Sequence, residues 1–195
     1  MNLITVEGLT HSYTDRMLFK EASFSLNEHE KVGIIGINGT GKSTLLKILA
    51  GQEIPDQGTM ITRRNLRIAY LPQQPEFEPG ETMLMGALPR KEEISGNPDE
   101  YEADAKSYLG KLGLTQYDQP VSQLSGGQRK RVALVRVLLT PCDVLVLDEP
   151  TNHLDGAMSQ WLEDHLKNMK TELIMVTHDR YFLDSVVNRI VEIDK

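Results

Sequence analysis

Gly36-Ile37-Asn38-Gly39-Thr40-Gly41-Lys42-Ser43 is the stretch on which the fold turns. It has the G-x-x-x-x-G-K-[ST] spacing of a loop that wraps phosphate. Its flanks supply the frame such a loop needs. Lys31-Val32-Gly33-Ile34-Ile35-Gly36 is a short apolar run with β-branched residues and predicts a buried strand. After the loop, Leu45, Leu46, Ile48 and Leu49 recur at helical spacing and stop at Gly51, so a helix is expected to open at the loop. Glycines 36, 39 and 41 let backbone N–H groups converge on an anion without Cβ obstruction, and the helix N-terminus adds its partial positive charge. Lys42 is then placed to reach the β- and γ-phosphates of a nucleotide, and the Ser43 hydroxyl to ligate Mg²⁺. Asn38, Thr40 and Thr44 complete the candidate cradle.

Composition bounds the rest. At 195 residues and 39% hydrophobic, the chain can bury a full core as a single domain, 1–195. A net charge of −7 argues against broad nucleic-acid binding by the whole surface. Cys142 is the only cysteine, so no intramolecular disulfide exists and a reducing, cytoplasmic setting is natural. Residues Met1 to Tyr13 lack the basic head and apolar stretch of a secretory signal. The most apolar stretch, Val132 to Leu147, is broken by Arg136, Pro141 and Asp143, so no direct membrane insertion is expected.

Along the chain, Ile4-Thr5-Val6 and Ser23 to Leu26 read as strands, and Gly58 to Ile61 and Leu66 to Leu71 as a pair around Arg63-Arg64-Asn65. From Gln73 to Gln123 the character is polar and helical. Tyr101, Ala105, Tyr108, Leu109 and Leu112 mark one helix face, and Pro89 to Glu100 reads as a solvated connection. Strands return at Val144 to Leu147, Leu173 to Val176 and Val187 to Ile193. The pattern is α/β, a nucleotide-binding core (about 1–73 and 136–195) interrupted by helices (about 74–135). The stop just after the last strand suggests a domain of something longer, with a small complete protein as the alternative.

Two further stretches carry chemistry. Val144 to Leu147 ends in Asp148-Glu149: the first carboxylate is placed to hold Mg²⁺, the second to orient and polarise an attacking water. Leu124-Ser125-Gly126-Gly127-Gln128 opens a helix to Leu139, with Ser125 as its N-cap. A serine and two glycines at a helix start can also accept a phosphate. Since the first loop already cradles one side of a nucleotide, this second site makes most sense acting on ATP held by another domain. Arg129, Lys130, Arg131 and Arg136 follow on that helix; a basic solvated face is expected, with RNA contact as the alternative.

GINGTGKST, LSGGQ, VLVLDEP and Val176-Thr177-His178-Asp179, in that order, resemble the nucleotide-binding domain of an ATP-binding cassette (ABC) protein from about residue 3 to the end. The resemblance implies a P-loop NTPase core with an N-terminal antiparallel β-subdomain and an inserted helical subdomain, an ATPase using ATP and Mg²⁺, and a second ABC domain as partner. By it, Gln73 senses Mg²⁺ and the attacking water, Tyr13 stacks on adenine, His178 touches the γ-phosphate, and Asp155 crosses the dimer interface. Tyr70 and His11 are other rings near Tyr13 in the sequence.

Thr151-Asn152-His153-Leu154-Asp155 and Asp179-Arg180-Tyr181-Phe182-Leu183-Asp184 are similar to the ABC-F class, whose members carry two such domains in one chain and are generally linked to the ribosome and translation, some conferring antibiotic resistance. Most similar is the first domain of such a protein. This chain departs from the class in holding one domain and in lacking room between Gln73 and Leu124 for a long helical arm, which puts ribosome contact by this polypeptide in question. The rival readings are the energising subunit of a membrane transporter and a nucleic-acid-maintenance ATPase.

Overall fold

The computed structural model describes residues 1–194; Lys195, the last residue of the expected domain, lies outside them. The strand before the glycine loop is β3 (Lys31–Gly36). It sits in a five-stranded parallel sheet with β5 (Ile68–Leu71), β6 (Val144–Asp148), β7 (Glu172–Val176) and β8 (Arg189–Ile193), in the order β5-β6-β7-β3-β8. Every residue of β6 is buried, as a strand covered on both faces requires. Its side chains alternate between two core layers.

Val144 and Val146 join Val32, Ile34, Ile174 and Val176 in the first layer. That layer is closed by α1 (Lys42–Leu49), through Leu45, Leu46, Ile48 and Leu49, and by an antiparallel sheet of β1 (Asn2–Tyr13), β2 (Arg16–Asn27) and β4 (Gln57–Thr62) in the order β2-β1-β4. Leu145 and Leu147 join Leu173 and Met175 in the second layer, under α4 (Gly126–Leu139), α5 (Gly156–Asn168) and α6 (Arg180–Val186). The short helix α2 (Met83–Ala87) and the longer α3 (Pro98–Lys111) pack on α4.

The expected pairing of Gly58–Ile61 with Leu66–Leu71 does not occur. β4 pairs antiparallel with β1, Ile4 opposite Thr62, whereas β5 pairs parallel with β6, Ile68 opposite Val144. Exposure explains the split. All six residues of β4 are exposed, which suits a sheet edge. The apolar run of β5 buries Ala69 and Leu71 and is better covered in the parallel sheet.

The helix α3 matches its expected face, with Ala105, Leu109 and Leu112 buried. It begins inside the segment read as a connection. Asn97 caps it by accepting from the Asp99 N–H at 3.1 Å, Pro98 occupies the first turn, and Asp99 and Glu100 complement the helix dipole.

The basic residues of α4 correct a second expectation. Only Arg129 is exposed. Lys130 is buried; Arg131 donates to the Leu112 carbonyl at 2.8 Å; Arg136 donates to the carbonyls of Leu88 and Met85 and to the Glu81 carboxylate. The helix is wrapped by the sheet on one side and by α2 and α3 on the other, so these long side chains end on neighbouring backbone instead of in water. Among the described residues no helix is long and apolar enough to cross a membrane.

Candidate functional site

The C-terminal ends of β3, β5, β6 and β7 open on a cavity of about 610 Å³, where ligands bind in open α/β sheets. Its wall carries Tyr13, Asn38, Gly39, Gly41, Lys42, Ser43 and Thr44 from the N-terminal part and Gln73, Asp148, Glu149 and His178 from later strand ends.

The glycine loop is shaped by close approach. A Cβ on Gly36 would lie 2.8 Å from the Ile193 carbonyl oxygen. Gly41 has φ +96°, and its Cβ would come within 2.8 Å of the Phe19 ring. Side chains beside the glycines fold back on the loop: the Thr40 hydroxyl donates to the Ile37 carbonyl at 2.7 Å, and the Lys42 ammonium donates to the carbonyls of Gly36 and Ile37 at 2.8 and 3.0 Å. Lys42 thus spans the loop whose N–H groups would receive phosphate.

Of the three candidate rings Tyr13, His11 and Tyr70, Tyr13 is the one that lines the cavity, and it is 65% exposed. His11 is buried, its Nε2 2.9 Å from Glu53 Oε1. The Tyr70 hydroxyl is enclosed without a hydrogen-bond partner, and burial pushes its pKa up.

At the other end of the cavity stand two buried carboxylates. Both oxygens of Asp148 are enclosed without a satisfying hydrogen bond. Burial raises its pKa, while the neighbouring Ser43 hydroxyl and the cations Lys130, Lys47 and Lys42 pull it down. An unsatisfied buried carboxylate beside a hydroxyl suits a hard cation that takes oxygen ligands. Among the described residues no group of three His, Cys, Asp or Glu side chains could hold a metal by itself. Mg²⁺ is commonly bound through one or two carboxylates and completed by substrate phosphates.

Glu149 has φ +50°, a left-handed conformation that a non-glycine residue adopts at a cost of roughly 1–3 kcal/mol. Its N–H donates to the Val176 carbonyl at 2.8 Å. The carboxylate lies 3.1 Å from His178 Nε2 and accepts the His178 N–H at 3.2 Å. Burial raises the Glu149 pKa, with His178 working against it. Thr151 and Thr177 share a 2.7 Å hydroxyl contact that ties together the loops after β6 and β7.

Ser125, Gly127, Gln128 and Asp155 are not part of this cavity's wall. Ser125 and Gln128 form a capping box at the start of α4: the Gln128 N–H donates to Ser125 Oγ at 3.1 Å, and the Ser125 N–H to Gln128 Oε1 at 2.9 Å. Gly127 packs against His153, where a Cβ would meet the His153 side chain at 3.1 Å. Asp155 caps α5, accepting the Met158 N–H at 2.9 Å. Gly126 lines a neighbouring cavity of about 830 Å³ that reaches Ser43 and Gln73.

Three charged residues near the site escaped the sequence. Lys47 follows Ser43 by four positions on α1 and lines the cavity; that spacing could have revealed it. Glu53 depends on its contact with His11 and had no local signal. Lys130 had none either. It donates to the Pro72 carbonyl and, at 2.7 Å, to the Asp148 carbonyl. Burial pushes its pKa down to about 8, against the opposing pull of Asp148 and Glu149.

Residues 19–152 match the family described as ABC transporter. This chain belongs to the ATP-binding cassette family. Among relatives of the cassette, the energy-dependent translational throttle protein EttA of Haemophilus influenzae is 37% identical over 216 residues, covering 92% of this chain and 39% of that protein. EttA of Mycobacterium tuberculosis is 32% identical over 227 residues, covering 99% and 41% respectively. The uncharacterized ABC transporter ATP-binding protein YfmR of Bacillus subtilis is 37% identical over 230 residues, covering 100% and 37%. The cassette therefore spans about two fifths of the length of these curated relatives. Among solved structures, dimeric MJ0796, a bacterial ABC transporter cassette, matches with a TM-score of 0.83 at 26% identity, covering 98% of this chain and 94% of that one. The RNase-L inhibitor matches with a TM-score of 0.80 at 28% identity, covering 98% and 37%.

Proposed function

We propose that this cassette binds Mg-ATP in the 610 Å³ cavity and hydrolyses it as one half of a head-to-tail sandwich, within a cytoplasmic ABC-F-type factor that works on the ribosome in translation or antibiotic resistance. One observation carries the reading. Lys42, Ser43, Gln73, Asp148, Glu149 and His178 meet around one cavity, and the Ser125 helix start, capped by Gln128, lies outside that cavity's wall.

Phosphates entering the loop would take over Lys42 from the Gly36 and Ile37 carbonyls. Backbone N–H groups of Gly39 and Gly41 and the α1 N-terminus receive the remaining charge. Tyr13 covers adenine at the rim. Ser43, Asp148 and Gln73 would hold Mg²⁺, which neutralises phosphate charge when bound. Glu149 accepts hydrogen bonding from the attacking water and takes its proton. His178 holds that carboxylate in place and turns the rest of its exposed ring toward the γ-phosphate. At Ser125 the oxygen already accepts from Gln128, so its own O–H remains to donate to a phosphate held by the partner. Asp155, at the head of α5, contributes to the same interface.

The ABC-F part of this reading is supported by Asn152-His153 and Arg180-Tyr181-Phe182 and by relatives named for a role in translation. The match with YfmR runs over 230 residues, more than this chain contains, as when a relative carries inserted residues within the matched span. The transporter reading has the family description and the MJ0796 cassette on its side; there, other polypeptides would supply the pore. The nucleic-acid-maintenance reading loses most of its basic helix, since Lys130, Arg131 and Arg136 end on backbone carbonyls and Arg129 alone of the four is exposed.

ATPase activity per molecule across a wide dilution series tests the sandwich. It should rise with protein concentration, because one ATP needs a Lys42 and a Ser125 from different domains. Activity that stays flat would sink this arrangement.

A further inference from the structure

Lys130 lies within α4, five residues past the Ser125 cap, about 7.5 Å along the helix. It is 4% exposed. Its ammonium accounts for two hydrogen bonds, both to main-chain carbonyls of other elements, Pro72 and Asp148. Each carbonyl belongs to the peptide group that leads into a residue of the proposed reaction, Gln73 in one case and Glu149 in the other. The second peptide is held at both ends: its oxygen accepts from Lys130, and its N–H donates to the Val176 carbonyl at 2.8 Å. That same peptide enters the left-handed conformation of Glu149, which persists only where surrounding contacts over-determine it.

We propose that Lys130 is a positioning residue for hydrolysis: one ammonium fixes Gln73 and Glu149 relative to each other and ties both to the helix that begins at Ser125. A helix moves as a rigid rod over so short a distance. A shift of the Ser125 end, when it meets nucleotide held by a partner, is therefore passed to the two loops that must be in register around the attacking water. The inference rests on the functional reading above and adds to it a route from the second anion site to the first. Lysine suits this task because its compact head offers three donors that can address carbonyls from two directions.

The test uses the whole cassette with Lys130→Met, which keeps the length of the stem and removes the donors, and Lys130→Arg, which restores donors and charge. Lys130→Met should lower kcat by at least about tenfold while leaving the ATP KM within about threefold, the signature of a loss felt after binding. Lys130→Arg should recover most of that loss. Hydrogen exchange supplies a readout independent of turnover: in Lys130→Met, peptides spanning 72–80 and 148–153 should exchange at least about threefold faster, with the α4 core still protected. Unchanged kcat, or unchanged exchange in both loops, would overturn the proposal. So would a fall in kcat that Lys130→Arg fails to relieve while exchange in the two loops stays slow. If Lys130→Met is active but Glu149→Gln is not, only the Lys130 inference falls; if both hydrolyse at the parental rate, the functional reading itself falls.

Discussion

His178 holds Glu149 twice, with ring Nε2 3.1 Å from Oε1 and backbone N–H donating to Oε2 at 3.2 Å. The carboxylate is 4% exposed and the ring 64%, so the pair joins a buried base to a residue that still faces solvent. Such a carboxylate has its orientation settled before any water arrives.

Glu149→Gln keeps the shape and can still accept the His178 N–H, but it cannot take a proton. Turnover should fall by about 10²–10⁴-fold, with ATP affinity within about threefold of the parent. The acid side of the parental pH profile follows from the raised pKa of Glu149. Below that pKa the group is protonated and cannot act as base. The rate should therefore decline as pH falls through a range above that of an ordinary glutamate, and this limb should vanish in Glu149→Gln. Parental turnover in the variant would remove Glu149 from its role.

Lys42→Ala should weaken Mg-ATP binding by at least about tenfold, near 1.4 kcal/mol, by removing the ammonium that folds across the loop onto the Gly36 and Ile37 carbonyls. Titration calorimetry checks it. A change below about fivefold would mean that the phosphates do not depend on this lysine.

Local spacing made the glycine loop, the strand ending in Asp148-Glu149 and the Ser125 cap readable, because each is built from residues within a few positions of one another. What escaped was set by distant partners. β5 finds its neighbour in β6, some 76 positions away, as the Arg67 to Asp143 bond shows. Lys130 reaches carbonyls 58 and 18 positions away. A lysine beside three arginines reads as a solvated face until the loops that cover it are known. Tyr13, Tyr70 and His11 were likewise equivalent as rings, and only the packing of His11 against Glu53 and the enclosure of Tyr70 separate them.

Cys142 should be a slow thiol. Burial pushes its pKa up to about 11, so at pH 8 only about 10⁻³ of it is thiolate, against about a quarter for an ordinary thiol of pKa 8.5. Reaction with a soluble disulfide reagent at pH 8 should be at least about tenfold slower in the native protein than in urea, the loss of thiolate being partly offset by the greater nucleophilicity of a high-pKa thiolate. The native rate should climb with pH toward 11. Equal rates in the folded and unfolded protein would contradict the burial.

Arg136→Ala should destabilise the fold by about 2 kcal/mol, since it strips a partly buried charge pair and hydrogen bonds to two carbonyls. The ring of Phe77, 5.5 Å from the guanidinium, loses its cover as well. Urea unfolding measures this. A midpoint equal to that of the parent would show that the arginine is free for other work, RNA included.

Co-sedimentation of this chain with ribosomes should be weak and salt-sensitive, even in the Glu149→Gln form loaded with ATP. Binding to RNA draws on lysines and arginines that can release counterions from phosphates. On α4 three of the four candidates are engaged within the protein: Lys130 on Pro72 and Asp148, Arg131 on Leu112, and Arg136 on Glu81, Leu88 and Met85. Arg129 remains exposed, and a net charge of −7 opposes approach. The segment between Gln73 and Leu124 is occupied by α2, α3 and their connections, which leaves no long helical arm there to reach across a ribosomal surface. The comparison is pelleting at two salt concentrations beside a full-length ABC-F protein with the equivalent glutamate exchanged. Pelleting as strong and as salt-resistant as that of the longer protein would move the ribosome contact onto the cassette itself, with the exposed edge strand β4 and its neighbours Arg63 and Arg64 as the next surface to mutate.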